Sequence, residues 1–593
     1  MAAPSVAVIG GGVGGLTAAH ELVDRGFSVS VYEARDAWGG KARSQPVPGT
    51  GSDGRLDLPG EHGFRFYPRF YRHVIDQMAR TPAGAGTVAD RLQPTTEAAI
   101  ALIDDYTWYR FSRKQLDTPY SILEAVEIFF QNLDFDGQDV SLFGARLLQF
   151  ATACDARRLS EYEAVSWWDF LDADRCSLKF QRQLRGIPRM MVAMDSVRGS
   201  ARTIGTITIQ LLMDFATSGA QNDRTMGGPT TQMWIDPWVA HLAARGVALY
   251  GNARATGIDV DGSGRVTAVQ FAGGSTAVAD YYVLAAPLDG AIGLISPAMG
   301  GFDPVLDVLR TTDADDLVSW MVGIQYYLYE DVPLVRGHLF FPDSPWALTA
   351  ISQPQFWRQL GLYRRTFGDG SVGGCISVDI SEWDTPGRFI PKTAKQCTPD
   401  EIALEVWEQL KAALNGAGET VLTDDLRHSW HLDDDVDYSG GLPPENGSRL
   451  LVHPPGSWQL RPEARTQLAN LALASDYVRT HTNIASMEGA CEAGRRACNA
   501  ILDMSGSTAG RSDVWPLAEP RELAAMRALD AWLHARGRPH LFEMLGIEHA
   551  SRAAAISRRV AQLVGLARLD DLFDARFRLS SMVGWILARL GLR

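Results

Sequence analysis

Lysine is nearly missing from this chain: six occur in 593 residues, at Lys41, Lys114, Lys179, Lys392, Lys395 and Lys411. Arginine carries the other positive charges, and 70 acidic residues against 56 basic ones leave a net charge of −14. That balance argues against nucleic acid as a general partner, because a phosphate backbone needs a basic surface. Cysteine is scarce as well. Cys154, Cys176, Cys375, Cys397, Cys491 and Cys498 stand singly, with no CxxC and no Cys/His cluster, so neither a zinc site nor a disulfide scaffold is indicated. No run reaches the ~18 apolar residues that span a bilayer. The opening residues lack a charged segment followed by an apolar core, as a secretory signal has. The expected location is cytoplasmic, with membrane association through the C-terminal segment as the one qualification.

What is present is an ordinary folding composition, 46% hydrophobic and 21% charged, in a length that suits two to four domains. Its organising stretch is Val6 to Ser44. An apolar β run, Val6–Ile9, turns through Gly10, Gly12, Gly14 and Gly15 into a helical pattern from Leu16 to Asp24, and a second β run, Ser28–Tyr32, ends at Glu33. The spacing GxGxxG predicts a Rossmann-like βαβ unit. Gly10 permits the tight turn, Gly12 lets the backbone approach a pyrophosphate, and Gly15 lets helix and strand pack closely. The helix N-terminus offers free N–H groups to the diphosphate. Glu33 is placed to accept hydrogen bonds from a ribose and would repel the 2′-phosphate of NADP.

Gly39, Gly40, Lys41, Arg43 and Ser44 follow directly, a flexible turn with two cations beside the expected diphosphate. This run resembles the GG-R-x-S/T continuation of the FAD-binding amine oxidase and phytoene desaturase superfamily. Gly60, His62 and Phe64 resemble the G-x-H-x-F segment of plant and cyanobacterial-type phytoene and ζ-carotene desaturases and of hydroxysqualene dehydroxylases, although Leu58 stands where the family carries aspartate. Far downstream, Asn470–Tyr477 reads as a strand ending in an acid, and Asn483–Ala490 opens a helix to Leu502. Asp476, Tyr477 and Ala485 to Ala490 match the desaturases' A-G-D-Y-T and A-S-M-E-G-A, with Ser475 in place of glycine. A helix N-terminus there would stabilise negative charge on a reduced flavin.

The resemblance implies an α/β fold with an α+β substrate lobe. A discontinuous FAD-binding domain is expected over residues 1–95, 225–300 and 445–505, a substrate domain over 96–224 and 301–444, and a helical C-terminal extension over 511–593. It implies FAD, bound noncovalently, with Gly10, Gly12, Gly14, Gly15, Glu33, Ala34, Gly40, Lys41, Arg43, Ala255, Asp476, Ser486, Met487 and Glu488 at the cofactor. Between the motifs, residues 95 to 225 read as mostly helical and rich in aromatics, as core or as the lining of an apolar tunnel. Leu317–Tyr329 reads as one long strand. Thr398 reads as the N-cap of a helix over Pro399–Leu414.

Flavin dehydrogenation needs a C–H or N–H donor aimed at N5 and a route for the second proton. His62 and Arg65 are the expected catalytic groups, to steer a proton or stabilise developing charge, and Glu61 is a further candidate base. Amine oxidases of this superfamily often use a lysine near N5, and the scarcity of lysine favours desaturation of C–C bonds in a small hydrophobic substrate, an isoprenoid, polyene or lipid. The electron acceptor would be oxygen or a quinone. Amine oxidation, redox-neutral isomerisation and a flavin-free lipid-binding protein remain the alternatives. Finally, residues 511 to 593 carry thirteen arginines against nine acids. Phe577, Leu579, Met582, Val583, Ile586, Leu587 and Leu590 keep helical spacing among arginines beside Trp585. Such a face suits a peripheral membrane contact, a helical cap packed on the enzyme or a dimer contact.

Overall fold

The glycine-turn unit folds as its spacing predicts, and its helix starts three residues early. In a computed structural model describing residues 3–112, 137–216, 223–416 and 418–546, β1 is Ser5–Ile9, α1 is Val13–Asp24 and β2 is Ser28–Tyr32. The segment His73–Ala79 forms α2. Three further strands complete a five-stranded sheet: β3 (Ala248–Tyr250), β4 (Tyr281–Leu284) and β5 (Leu471–Leu473). The order is β3-β2-β1-β4-β5, and every pairing is parallel. Both faces of such a sheet are covered, which is why the run Val6–Ile9 is apolar without alternation. The strands come from three separated parts of the chain, inside the three stretches expected to form the flavin domain.

The last helix of this half, α3 (Met487–Ser505), lies against α1 at glycine distance. A Cβ on Gly494 would sit 2.5 Å from the Gly14 carbonyl, and one on Gly14 would sit 2.2 Å from that of Ala474. Cys491 and Cys498 are buried in the same cluster, as core residues.

The inserted half is built on a seven-stranded sheet. Its order is Arg427–Leu432, Val322–Leu328, Gly374–Ile380, Thr349–Ser352, Gly337–Phe340, Glu97–Leu102, Thr107–Ser112. Alternation sorts its side chains. Ile376, Val378 and Ile380 pack with Val406, Trp407 and Leu410 of the helix Pro399–Leu414, whose N-cap Thr398 forms a full capping box with Glu401. Cys375, Ser377 and Asp379 therefore point the other way, toward the segment that follows Leu58.

Two readings are corrected. Glu97–Leu102 and Thr107–Ser112 are strands inside the stretch that reads as mostly helical. The first is EAAIAL, good helix-forming residues, yet five of its six are buried and it pairs in parallel with Gly337–Phe340. Tertiary pairing overrides propensity there. The run Leu317–Tyr329 is not one strand. It breaks at Trp320 and Met321, the first piece pairing with Leu450–Leu451 and the second entering the large sheet.

In the helical lobe, Phe143, Phe150, Trp167, Trp168 and Phe170 belong to one buried cluster. They are core and not tunnel wall. Phe129, Phe130 and Phe135 lie outside the described residues. Beyond α3, the helix Ala524–His534 docks on this lobe through Asp530, which accepts from the Cys154 N–H at 2.8 Å and from Arg157 Nε at 2.9 Å. Arg157 and Asp530 are each 1% exposed. The described part of the C-terminal extension is thus a cap on the enzyme. Residues 577–590 lie outside the described residues, and among those described no helix is long and apolar enough to cross a membrane.

Candidate functional site

A cavity of about 1200 Å³ runs from the glycine turn to the odd-numbered face of the inserted sheet. At its glycine-turn end, Gly10 holds φ at +114° and Gly15 sits so that a Cβ would lie 1.9 Å from the Gly10 carbonyl. No other residue lets α1 begin directly on the turn. Since α1 opens at Val13, the unpaired N–H groups of its first turn lie beside Gly10, Gly12 and Gly14 on the cavity wall. Glu33 is also on the wall. Its Oε2 accepts from the Gly11 N–H at 2.7 Å and its Oε1 from the Arg35 N–H at 3.0 Å, which fixes the carboxylate and leaves each oxygen further lone pairs.

Ala34, Gly40, Lys41, Ala255, Asp476, Ser486 and Met487 complete the expected wall. Ser486 caps α3, its Oγ accepting from the Gly489 N–H at 3.0 Å, so a second helix N-terminus faces the cavity. Three expected residues are not on the wall. Gly15 is packed under the turn. Arg43 turns away to Asp435, donating from Nη2 to Oδ1 at 2.7 Å. Glu488 caps α2, accepting from the N–H groups of Arg72, His73 and Val74 at 2.7, 2.9 and 2.9 Å and from His73 Nδ1 at 2.7 Å. A carboxylate at a helix N-terminus needs no ligand to explain it. Lys41 lies on the wall, but its Nζ donates to the Arg449 carbonyl. The cations expected beside a diphosphate are spent on the protein.

At the other end His62, Gly63, Phe64, Arg65 and Phe66 line the wall. His62 Nδ1 pairs with Asp433, which also accepts from Gln45 Nε2 at 2.7 Å. Burial alone would raise the Asp433 carboxyl; the His62 partner and these hydrogen bonds outweigh it and hold it well below the usual carboxylate range. His62, Asp433 and Asp435 offer ligand atoms within 4.8 Å of one another. Their oxygens already accept from His62, Gln45, Arg35, Arg43 and Ser448, so the cluster is a closed ion network. Arg65 donates to the carbonyls of Gly63 and Lys41 at 2.7 and 2.8 Å and stands 3.6 Å from Glu61. Glu61 itself is off the cavity, accepting from Ser44 Oγ at 2.7 Å and the Thr230 N–H at 2.8 Å. Burial raises its carboxyl, with Arg65 opposing.

Sequence reasoning missed the residues that the inserted sheet brings to the cavity: His338, Phe340, Thr349 and Asp379. The last is a carboxylate 6% exposed whose burial pushes it up to about 7 against the nearby Arg65 charge. One signal was available. Asp379 is an acid among apolar residues in the strand GCISVDI, on the face that the alternation turns away from the helix.

The sequence profile of the flavin-containing amine oxidoreductases matches residues 13–502. The chain belongs to that family. Its relatives include a ζ-carotene desaturase of Synechocystis sp., 25% identical, with 84% of this chain and 97% of that one covered. A 15-cis-phytoene desaturase of Synechococcus elongatus is also 25% identical, with 86% and 99% covered. Among solved structures, the cyclohexylamine oxidase of Brevibacterium oxydans shares the fold at a TM-score of 0.58 and 17% identity, covering 85% of this chain and 100% of that one. Putrescine oxidase does so at 0.55 and 14%, covering 84% and 99%.

For a family member the cofactor is FAD, and the residues present fit it. The glycine turn, the two helix N-termini and Glu33 offer a dinucleotide what it needs. Single small-molecule sites usually span about 300–1,000 Å³; this cavity, about 1200 Å³, is larger and continues from the glycine turn to the Asp379 end.

Proposed function

We infer that this flavoenzyme desaturates C–C bonds of a hydrophobic isoprenoid or polyene. One observation carries the reading: the match to ζ-carotene and phytoene desaturases runs through both halves of the chain and nearly the whole length of those relatives. The wall at the inserted sheet supports it, with Phe64, Phe66, Phe340, Trp320, Met321 and Met190 giving an apolar substrate rings and side chains to lie against between the polar groups. Bound there, FAD supplies a two-electron acceptor at flavin N5. The chain's own part is to orient an apolar substrate, to keep water out, and to receive a proton. His62 and Arg65 shape the polar rim of that site, His62 anchored by Asp433 and Arg65 by two carbonyls. Ala34, Ala255, Ser486 and Met487 are the proposed cofactor contacts beyond the glycine turn.

A second reading, amine oxidation, draws on the fold shared with amine oxidases and on a buried carboxylate that suits an ammonium. The lysines speak against it. Among the described residues Lys41 and Lys395 reach the wall, and both are engaged, Lys395 with Asp384 at 2.8 Å and over the Trp320 ring at 5.2 Å. Incubating the holoenzyme anaerobically with phytoene or ζ-carotene in liposomes separates the readings. Bleaching of the flavin, with longer polyenes appearing in proportion, is the expected result. Bleaching by amines alone overturns it, and polyene rearrangement with the flavin still oxidised indicates isomerisation.

An enzyme that takes its substrate from a bilayer gains from docking on one, and the arginine-edged apolar pattern of residues 577–590 suits that contact. Full-length protein is expected to float with anionic liposomes, and protein truncated after Arg568 to stay at the bottom. Full-length protein that stays down removes the membrane role.

A further inference from the structure

Asp379 sits where three features meet. The strand Gly374–Ile380 lies between Val322–Leu328 and Thr349–Ser352, with Asp379 opposite Gly323 on one side and Thr349 on the other. Gly323 is the floor for the segment crossing above. A Cβ there would lie 2.6 Å from the Glu61 carbonyl and 2.7 Å from that of His62, and the Gly323 N–H donates to the latter at 2.7 Å. The crossing segment then passes beside Asp379, where a Cβ on Gly63 would meet its Oδ1 at 2.6 Å. Asp379 is thereby walled in on the sheet side and faces the cavity together with Thr349.

On the cavity wall, Asp379 Oδ1 and Thr349 Oγ1 of these neighbouring strands are buried and reach no protein partner. Orphaned buried acceptors are costly, about 1–3 kcal/mol each, and a pair of them on a cavity wall marks a place where something else is bound. Around them His62 is held by Asp433, Arg65 by the Gly63 and Lys41 carbonyls through its two Nη atoms, and Glu61 by Ser44 and Thr230 through Oε1. Arg65 Nε and Glu61 Oε2 are also without a hydrogen-bond partner, and Glu61 does not reach the cavity wall.

Resting on the desaturase reading, we propose that Asp379 is the group that takes the substrate proton, with Thr349 Oγ as its neighbouring hydrogen-bond partner once the site is filled. The balance is simple. One C–H hydrogen leaves with its electron pair for the oxidised flavin, a neighbouring C–H gives its proton to Asp379, and the electron pair left behind closes the C=C bond. Two electrons and one proton go to FAD as hydride, and one proton goes to the carboxylate. Reoxidation is a separate half-reaction and is not needed for a single turnover.

The charges that face Asp379 set its pH range. Burial favours its neutral form. Arg65 and the Phe64 N–H, from the crossing segment, favour the carboxylate, and Asp433, which follows the strand Arg427–Leu432, opposes it. Thr349 and Gly323 on the flanking strands carry no charge. The outcome is a carboxyl that ionises near neutrality, at about 7, which suits a general base. The acceptor form is the carboxylate, so flavin reduction by substrate rises as pH passes upward through that region and levels above it.

The test uses FAD-loaded full-length protein. In single-turnover flavin reduction, Asp379→Asn is expected to lose about 10²–10⁴-fold and its limb near pH 7, while Asp379→Glu recovers part of the rate. An independent readout needs no substrate. Infrared difference spectra across that pH range are expected to show one protonated carboxyl band vanishing in the parent and missing from Asp379→Asn. FAD content of the variants serves as the folding control. A variant Asp379→Asn within about threefold of the parent rate, or one that keeps the pH limb, overturns the proposal, as does a parent without the titrating band. If the parent fails to oxidise any polyene, the desaturase reading falls, and the infrared titration still decides whether the cavity holds an ionisable Asp379.

Discussion

Replacing Glu488 by alanine is expected to destabilise the protein by about 3–5 kcal/mol, the cost of breaking a buried, fully bonded charge, and to leave the intrinsic FAD affinity of the folded fraction nearly unchanged. The carboxylate is 1% exposed and holds three consecutive N–H groups of α2 together with the His73 ring. His73 Nε2 in turn accepts from the Trp515 N–H at 2.9 Å, so Nδ1 carries the ring proton that Glu488 receives. One carboxylate therefore joins α3, α2 and the segment leading to the C-terminal cap. Removing it strands those donors in the core, each an unpaid desolvation. Thermal unfolding followed by intrinsic fluorescence should show a midpoint several degrees lower for Glu488→Ala, with Glu488→Gln between the two. Titration of refolded apoprotein with FAD at low temperature, where both are folded, should give dissociation constants within a few-fold. A large loss of affinity without loss of stability would put Glu488 at the cofactor after all.

Glu488 also shows why some of the site was legible in the sequence and some was not. The roles of Gly10, Gly12 and Gly15 are local, set by a turn and the helix that follows, and the chain carries them in its spacing. The same holds for Thr398, whose capping box closes within four residues. Arg43 and Glu488 sit in equally recognisable motifs, yet their partners, Asp435 and α2, come from roughly 390 and 415 residues away along the chain. A charge in a motif reads as a ligand contact when its protein partner is invisible. Glu97–Leu102 was lost for a related reason: its alanines suit a helix, and only the distant strand Gly337–Phe340 makes it a sheet. Asp379 depends on the crossing of Gly63 over Gly323, which no local pattern encodes.

Glu33→Ala is expected to weaken FAD binding by at least 100-fold. Hydrogen bonds to a charged group contribute about 1.5–3 kcal/mol each, and two ribose hydroxyls on the carboxylate would supply that factor or more. The substitution acts a second time through the turn. Glu33 Oε2 holds the Gly11 N–H and Oε1 the Arg35 N–H, so its loss frees the backbone on both sides of the dinucleotide cradle. Gly11 has no slack to take up: a Cβ there would lie 2.5 Å from the Trp38 ring. All six cysteines are buried and none lines the cavity. Of the two histidines on the wall, His62 is tied through Nδ1 to Asp433. FAD is expected to be held by contacts alone, and its retention measures them. Gel filtration of the parent should give a yellow protein, and acid precipitation should release its FAD into the supernatant. Glu33→Ala should emerge largely colourless with its fold intact by circular dichroism, and should regain colour only at high added FAD. Glu33→Gln, which keeps an acceptor but loses the charge, should fall between. If Glu33→Ala holds FAD as tightly as the parent, the ribose lies elsewhere and the cofactor's assignment to the glycine-turn end of the cavity is wrong.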